Sequence, residues 1–429
     1  MKNRERDHLL HLSTMQSPLV SSRFLQQQGD IPEQIVLEIL SRLPVQSLLR
    51  FRCVCKVWKS LISDPKFTLS SRKHQIAIQC RYLYSIDTGH AFSGTRSLLK
   101  RDPLPKPMLF YDDKKASERL KIFGSCNGLF LVSHYADFYL WNPSTRQSTK
   151  VLSLKTKGWA KHFSLNNAYL SGLCYDSSAD DYKAVLAMGN KFGEVTVVSF
   201  KRKYWATMTS HALDKDKGYI SLPGPNVNEK LHWAITKLGH DRVHYSARYG
   251  IVSFDPLTDE FEEIPMPLTP NNGTPNNGEG EPIVKGLGVL DGCLCMGRCV
   301  TRGSGGEEVE PGFFELLVMK EYGVGDSWTR IFNVSKNFMV LSRGTLVPLC
   351  FTGDKEVVIS VAHLDRLCAY NLEDMSQRDI FVPTKGDHIT YQTSYMESLV
   401  SPDAYGHEED WIVERPDLLK TRLQEIRLN

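Results

Sequence analysis

"FYLWNPSTRQSTKVL" (residues 138–152) reads as an apolar strand, a tight turn and a second strand. A later stretch, "GIVSFDPLTDEFEEIP" (residues 250–265), repeats the order: apolar strand, aromatic, Asn or Asp, proline, a turn with threonine, another strand. Asn142-Pro143-Ser144-Thr145 and Asp255-Pro256-Leu257-Thr258 are the matching turns, since Asx side chains and proline favour turn geometry. "LCAYNLEDMSQRDIFV" (367–382) is a weaker third copy. "VVSFKRKYWATM" (197–208) and "LLVMKEYGVGDSWTRIF" (316–332) are hairpins of the same sort.

A pair of apolar strands, with glycine or acid in it, precedes each hairpin. These pairs are "GSCNGLFLVS" (124–133), "SGLCYDSSADDYKAVLA" (171–187), "VNEKLHWAI" (227–235), "KGLGVLDGCLCMG" (285–297) and "PLCFTGDKEVVISV" (348–361). A unit of four strands, roughly 40 to 55 residues long, thus recurs about five or six times, which is the mark of a β-propeller. A pair of β-sandwiches is the main competitor. The strand-rich region runs over 76–400.

Upstream, residues 30–72 have helical periodicity instead. In "DIPEQIVLEILSRLP" Asp30 is the expected N-cap, with Glu33 three residues on as a capping box. Pro32 is tolerated in a first turn. Two neighbouring apolar rows follow, Ile35, Ile39, Leu43 and Val36, Leu40, Leu43, so the apolar face is wide. Pro44 ends this helix and opens the next. "RFRCVCKVWKSLI" (50–62) reads as a third packing helix, with Val54, Val57, Trp58, Leu61 and Ile62 on one face and Cys53 and Cys55 as small apolar fillers, Cys55 either packing inward or lying at the helix start. Three short helices cannot hide this much apolar surface, so some of it should face another chain. The alternative is that the next domain covers it. Residues 1–29 are polar without sustained period and are expected to be disordered. The tail 401–429 carries an acidic patch and a short helix after Pro416.

The totals fit a multidomain globular protein: 429 residues, 41% hydrophobic and 24% charged. A formal charge of +3 argues against a dedicated nucleic-acid binder. No apolar run approaches the roughly 18 residues of a membrane helix, and the N-terminus lacks the apolar core of a secretory signal. Ten scattered cysteines, with no C-x-x-C pair, point to reduced thiols in a cytosolic or nuclear protein.

No catalytic constellation stands out. G-x-S-x-G, H-E-x-x-H and the P-loop are absent from the sequence. "CLCMGRC" offers Cys293, Cys295 and Cys299 without a nearby histidine, so core packing is expected over metal. Asp180-Asp181 is expected as a solvated turn, and so is the basic run Lys201-Arg202-Lys203. His162, His232, His363 and His388 are expected as structural histidines.

Asp30 to Ser71 resembles the F-box, in its plant form. The residues that carry this are Ile31-Pro32 with an acid after it, the Ile/Leu helix, "SRLPVQSLLRFRCVCKVWKSLI" and "DPKF". From about Phe123 to Val382 the chain resembles the F-box-associated domain of plant F-box proteins, through "GSCNGLFLV" and "LWNPSTR". The implied fold is α+β multidomain: a small three-helix F-box, then an all-β propeller.

The resemblance implies a non-catalytic adaptor, the substrate-recognition subunit of a Skp-cullin-F-box ubiquitin ligase. The F-box would dock on a Skp-type adaptor and through it on a cullin. The β domain would recruit a target protein. Docking positions implied by the family are Pro32, Ile35, Leu40, Leu43, Pro44, Leu48, Leu49 and Trp58. Val54, Trp58, Leu61 and Ile62 would hold the helices together. No cofactor, metal, nucleic acid or membrane is implied. Loops at one end of the ring would carry target specificity, with Asn142–Thr145, Lys201–Tyr204 and the region near Asn271 as candidates. Competing functions are a non-ligase F-box interaction protein and a propeller lectin or enzyme.

Overall fold

Prolines punctuate the helical segment. In the computed structural model Pro32 is the N-cap of α1 (Glu33–Ser41) and Pro44 is the N-cap of α2 (Val45–Phe51). The model describes residues 31–64, 67, 74–80, 83–88, 100–101, 120–134, 137–154, 168–188, 194–209, 217–219, 224–238, 247–267, 282–302, 310–335, 344–352, 355–361, 364–381, 388–406 and 412–413. The expected capping box is not the start of α1: Pro32 takes the cap position without a side-chain bond, and Asp30 lies outside the described residues. The expected N-terminal disorder, the region near Asn271 and the helix after Pro416 also lie outside them. The chain divides into two compact units, one ending at Leu43 and one beginning at Pro44.

The stretch 50–62 is not one continuous helix. It breaks over Arg52–Val54 and restarts as α3 (Lys56–Ser63), with Cys55 as N-cap. The Cys55 Sγ accepts from the Trp58 N–H at 3.4 Å. The break turns Cys53, Val54 and Cys55 outward, so they are exposed and not fillers. Trp58 instead meets Phe51 across the break, ring centroids 5.2 Å apart, and Ile62 is fully buried.

The rest is six antiparallel sheets of four main strands. Blades 1 to 5 follow the chain over residues 120–153, 168–209, 217–264, 283–334 and 346–381. In blades 1, 2, 4 and 5 the expected strand pair forms the inner two strands and the expected hairpin the outer two; in blade 3 the innermost strand is Lys217–Tyr219, ahead of the expected pair, with Asn226–Val227 pairing on the same inner strand. Blade 6 draws on both ends of the domain. Strands His74–Gln79, Leu83–Asp87 and Lys100–Arg101 are completed by Tyr391–Met396, which pairs antiparallel with His74–Gln79. This pairing closes the ring, so the repeat count is six and the sandwich alternative fails.

Six apolar clusters hold the ring, one between each pair of neighbouring blades. The side-chain alternation of a strand explains this. In Leu129–His134, Leu129 and Leu131 pack toward blade 2, while Phe130 and Val132 pack toward blade 6. Both faces of the strand are buried, which is why "LFLVSH" reads as a continuous apolar run rather than an alternating one. Near the axis the inner strands touch. A Cβ at Gly124 would lie 2.6 Å from the Leu173 backbone nitrogen of blade 2, so only glycine permits that approach.

Tight turns gather on one rim, because the first-to-second and third-to-fourth strand connections of a blade share an end. Asn142 Oδ1 accepts from the Ser144 and Thr145 N–H groups, Asp255 Oδ1 from Leu257, and Asn371 Oδ1 from Glu373 and Asp374. Each turn then ends in a left-handed residue: Arg146, Asp259 or Met375, with φ of 58°, 57° and 58°.

Candidate docking helices and turn rim

On α1, Ile35 and Ile39 are each 49% exposed, one helical turn apart on the same face. Ile31, 61% exposed, precedes them by the same spacing. Leu40, on the other side of the helix, is fully buried. Pro32 and Pro44 are exposed, whereas Leu43, Leu49 and Trp58 are half-buried. Leu48, like Leu40, is fully enclosed in the chain and presents no surface to a partner. Val54 and Val57 are 61% and 59% exposed, so Val54 does not hold helices together as expected. Ile39 and Val57 were legible as members of apolar rows, but the rows alone do not say which side stays open.

The turn rim of blade 1 is engaged internally. Asn142 is fully buried, and its Nδ2 donates to Ser398 O (3.1 Å) and Val400 O (2.8 Å), just beyond the ring-closing strand. Gln46 Nε2 of α2 donates to Ser144 O at 2.7 Å. Asn142–Ser144 is therefore a joint, not an open recognition loop. Of the other candidate loops, Lys201 and Arg202 are exposed, Tyr204 is buried, and Asn271 lies outside the described residues.

Between blades 2 and 3 sits a buried charge cluster. Lys183 Nζ, with its side chain 2% exposed, donates to Pro256 O (2.5 Å) and pairs with Asp259 Oδ1 (2.9 Å) and Asp176 Oδ2 (3.1 Å). Tyr204 OH donates to the other Asp259 oxygen at 3.1 Å. Burial alone would raise the Asp176 pKa, but the Ser178 hydroxyl and the Lys183 ammonium outweigh it and hold the group below the usual carboxylate range. Every polar group here is matched, and the cluster reads as a staple between blades.

Asp181 departs from the expected solvated turn. It is fully buried and accepts from Ser199 Oγ and from the Lys201 N–H at 2.7 Å. Its neighbour Asp180 is exposed and pairs with Lys201 Nζ at 2.6 Å. His232 is fully buried, hydrogen-bonded through Nε2 to Tyr322 OH at 2.8 Å, and burial lowers its pKa to about 4. His388 is exposed beside Asp365, Nδ1 to Oδ2 2.6 Å; His162 and His363 lie outside the described residues.

Cys295 and Cys299 lie in the core between blades 4 and 5, with Cys293 packed against it. Burial raises the Cys295 thiol pKa and pushes Cys299 up to about 11, so neither is a thiolate at neutral pH. Among the described residues no group of three or more His, Cys, Asp or Glu could hold a metal ion. No helix among them is long and apolar enough to cross a membrane.

The comparisons with known proteins agree with this geometry. The F-box domain matches residues 29–70, and the F-box associated beta propeller domain matches residues 103–402. The chain belongs to the F-box-associated β-propeller family. F-box protein CPR1 of Arabidopsis thaliana is 30% identical over 378 residues, covering 80% of this chain and 82% of that protein. An F-box/kelch-repeat protein of the same plant is 28% identical, covering 71% and 79%. A third, also named an F-box protein of Arabidopsis thaliana, is 33% identical over 335 residues, covering 75% and 84%. As an F-box-associated propeller protein the chain joins an F-box to a large β platform.

Proposed function

We propose that the chain is the substrate-recognition subunit of a Skp-cullin-F-box ubiquitin ligase. The observation that carries this is the open apolar pair Ile35 and Ile39 on an F-box helix, with exposed Ile31 just ahead of its N-cap. Water-exposed isoleucines at this spacing suit a partner that buries them. The Skp-type adaptor would cover this row, together with Pro32 and Pro44, and join the chain to a cullin. Leu40 and Leu48 would act from inside, by keeping their helices folded, and Leu43, Leu49 and Trp58 would border the contact. The propeller would recruit the target, and the role is non-catalytic: the receptor holds a target lysine near a charged conjugating enzyme and raises its effective concentration. Such a receptor works in the cytoplasm, the nucleus or both.

The test is capture by the full chain. Wild type should co-purify a Skp-type adaptor and a cullin, and the double variant Ile35→Asp/Ile39→Asp should lose both while its propeller melts at an unchanged temperature. Adaptor capture that survives the double variant would remove the docking assignment. Adaptor without cullin would leave a non-ligase F-box protein.

A further inference from the structure

Turns at a protein surface favour glycine, proline and small polar residues. Three turns of the propeller carry a large apolar side chain in water instead. Leu257, Val324 and Met375 are 47%, 44% and 38% exposed, and no other large apolar side chain is exposed among the described residues of the propeller. Single exposed apolar residues scattered over a surface are ordinary. These three are not scattered. They hold the same place in three neighbouring blades, the connection between the third and fourth strands of blades 3, 4 and 5, all on the turn rim.

Met375 adds a second observation. Its φ of 58° is left-handed, at the point of the turn that Arg146 fills in blade 1 and Asp259 in blade 3. Glycine or asparagine adopts that backbone more readily than methionine does. Neither local geometry nor packing in the chain accounts for the apolar side chain there.

Charge says what kind of partner fits. Each apolar residue has exposed acids in its own turn: Glu260 in blade 3, Glu321 and Asp326 in blade 4, Glu373 and Asp374 in blade 5. Against them stand two exposed bases, Lys320 and Lys355, and Lys355 is paired with Glu373 at 2.9 Å. The other side of the rim has the opposite sign, with Arg146 exposed on blade 1 and Lys201 and Arg202 on blade 2.

The ring axis offers less at this end. Asn226 Nδ2 of blade 3 donates to Ser125 O of blade 1 and to Leu173 O of blade 2, both at 2.8 Å, and so draws three inner strands together. In blade 4 a Cβ at Gly288 would run into the Pro348 carbonyl of blade 5. A partner approaching the rim therefore meets the outer turns.

We infer that the outer turns of blades 3 to 5 form a docking face for a basic, apolar-bearing segment of another protein. Leu257, Val324 and Met375 supply the apolar contacts, and the acids around them meet its lysines and arginines. The inference rests on the receptor reading only in making the recruited target the source of that segment.

The probe is a short fluorescent peptide of leucines and lysines in a helical pattern, titrated against the full chain. Leu257→Ser/Val324→Ser/Met375→Asn should weaken its binding about tenfold. Asparagine is used at 375 because it tolerates the left-handed backbone. Glu260→Lys/Glu321→Lys/Asp326→Lys should weaken binding as much and flatten its salt dependence. This second variant keeps the apolar residues, so it decides the matter if the first one misfolds. Asp180→Asn removes an exposed acid from the blade 2 turn and should change binding by less than about twofold. Peptides with glutamate for lysine, or glycine for leucine, should not bind. The proposal is overturned by an absence of binding, by binding that ignores both multiple variants, by an equal fall with Asp180→Asn, or by full binding of the glycine peptide. Wild-type dimers that the first variant abolishes would overturn it too, because the face would then belong to a second copy of the chain. Adaptor capture by the same proteins tests the receptor reading separately: its loss leaves the peptide result standing, and its survival does not rescue a failed titration.

Discussion

Lys183 Nζ lies 2.9 Å from Asp259 Oδ1, and the two residues belong to neighbouring blades. Their pairing ties blade 2 to the outer turn of blade 3, where Asp259 holds a left-handed conformation. A buried ion pair contributes little net stability when intact, because both charges have left water. Breaking it is another matter, since one partner then stays charged and unmatched.

Lys183→Met should therefore cost about 3–5 kcal/mol in denaturant unfolding, because Asp176 and Asp259 remain buried together without a cation. The loss should shrink as the pH falls and Asp176, no longer held down by the Lys183 ammonium, takes up a proton. Lys201→Met, which breaks an exposed pair with Asp180, should cost less than about 1 kcal/mol at any pH. Equal effects of the two substitutions would contradict the staple.

His232 predicts a second pH effect. Its folded pKa is about 4, lowered by burial, against an ordinary value of 6.5. The unfolded chain therefore binds the extra proton between pH 6.5 and 4, and the folded chain does not. Stability from this group is full above pH 6.5 and falls with acidification, by up to about 1.4 kcal/mol per pH unit. His232→Gln should flatten the stability curve over that window, read by chemical denaturation at fixed pH values. An unchanged slope would mean that His232 is solvated.

Legibility in the sequence followed locality. Three of the five outer hairpins were readable because Asn142, Asp255 and Asn371 make Asx turns within a few residues of their own positions. Blade 6 was not, since Gln75 pairs with Tyr395 across nearly the whole domain and no turn joins them. Asp181 looked solvated because its partners, Ser199 and Lys201, lie in the next hairpin. The same limit applies to the helices. Apolar spacing marked the residues of α1, but which row is open depends on what packs behind it. Cys55 at a helix start was one of two readings of its position, and it is the one the structure has; the sequence did not choose because cysteine is a rare cap and helical periodicity continues through 53–55.

Asn142→Asp isolates the joint between ring closure and the blade 1 turn. The substitution keeps an oxygen to accept from Ser144 and Thr145. It replaces the amide donor with an oxygen facing the carbonyls of Ser398 and Val400. Buried and unmatched, that oxygen should cost about 3 kcal/mol at neutral pH. A protonated carboxyl can donate to Val400 O, so the gap to wild type should narrow on acidification. Amide exchange should quicken mainly in 391–400, the segment the side chain holds. A uniform loss across all six blades would show that Asn142 acts only on global stability.

Leu40 and Ile35 separate folding from docking on one helix. Leu40 is fully enclosed, so Leu40→Ala should leave a cavity and cost about 2–5 kcal/mol. Ile35 is half in water, so Ile35→Ala should change helix stability by less than about 1 kcal/mol. Adaptor affinity should respond in the opposite order. Ile35→Ala removes apolar area that only a partner buries, worth about 1–2 kcal/mol, or roughly five- to thirtyfold in Kd. Leu40→Ala should weaken binding only to the extent that α1 unfolds, so stabilising conditions such as added osmolyte should restore it. If osmolyte restores Ile35→Ala as well, the exposed row is structural and the docking face lies elsewhere.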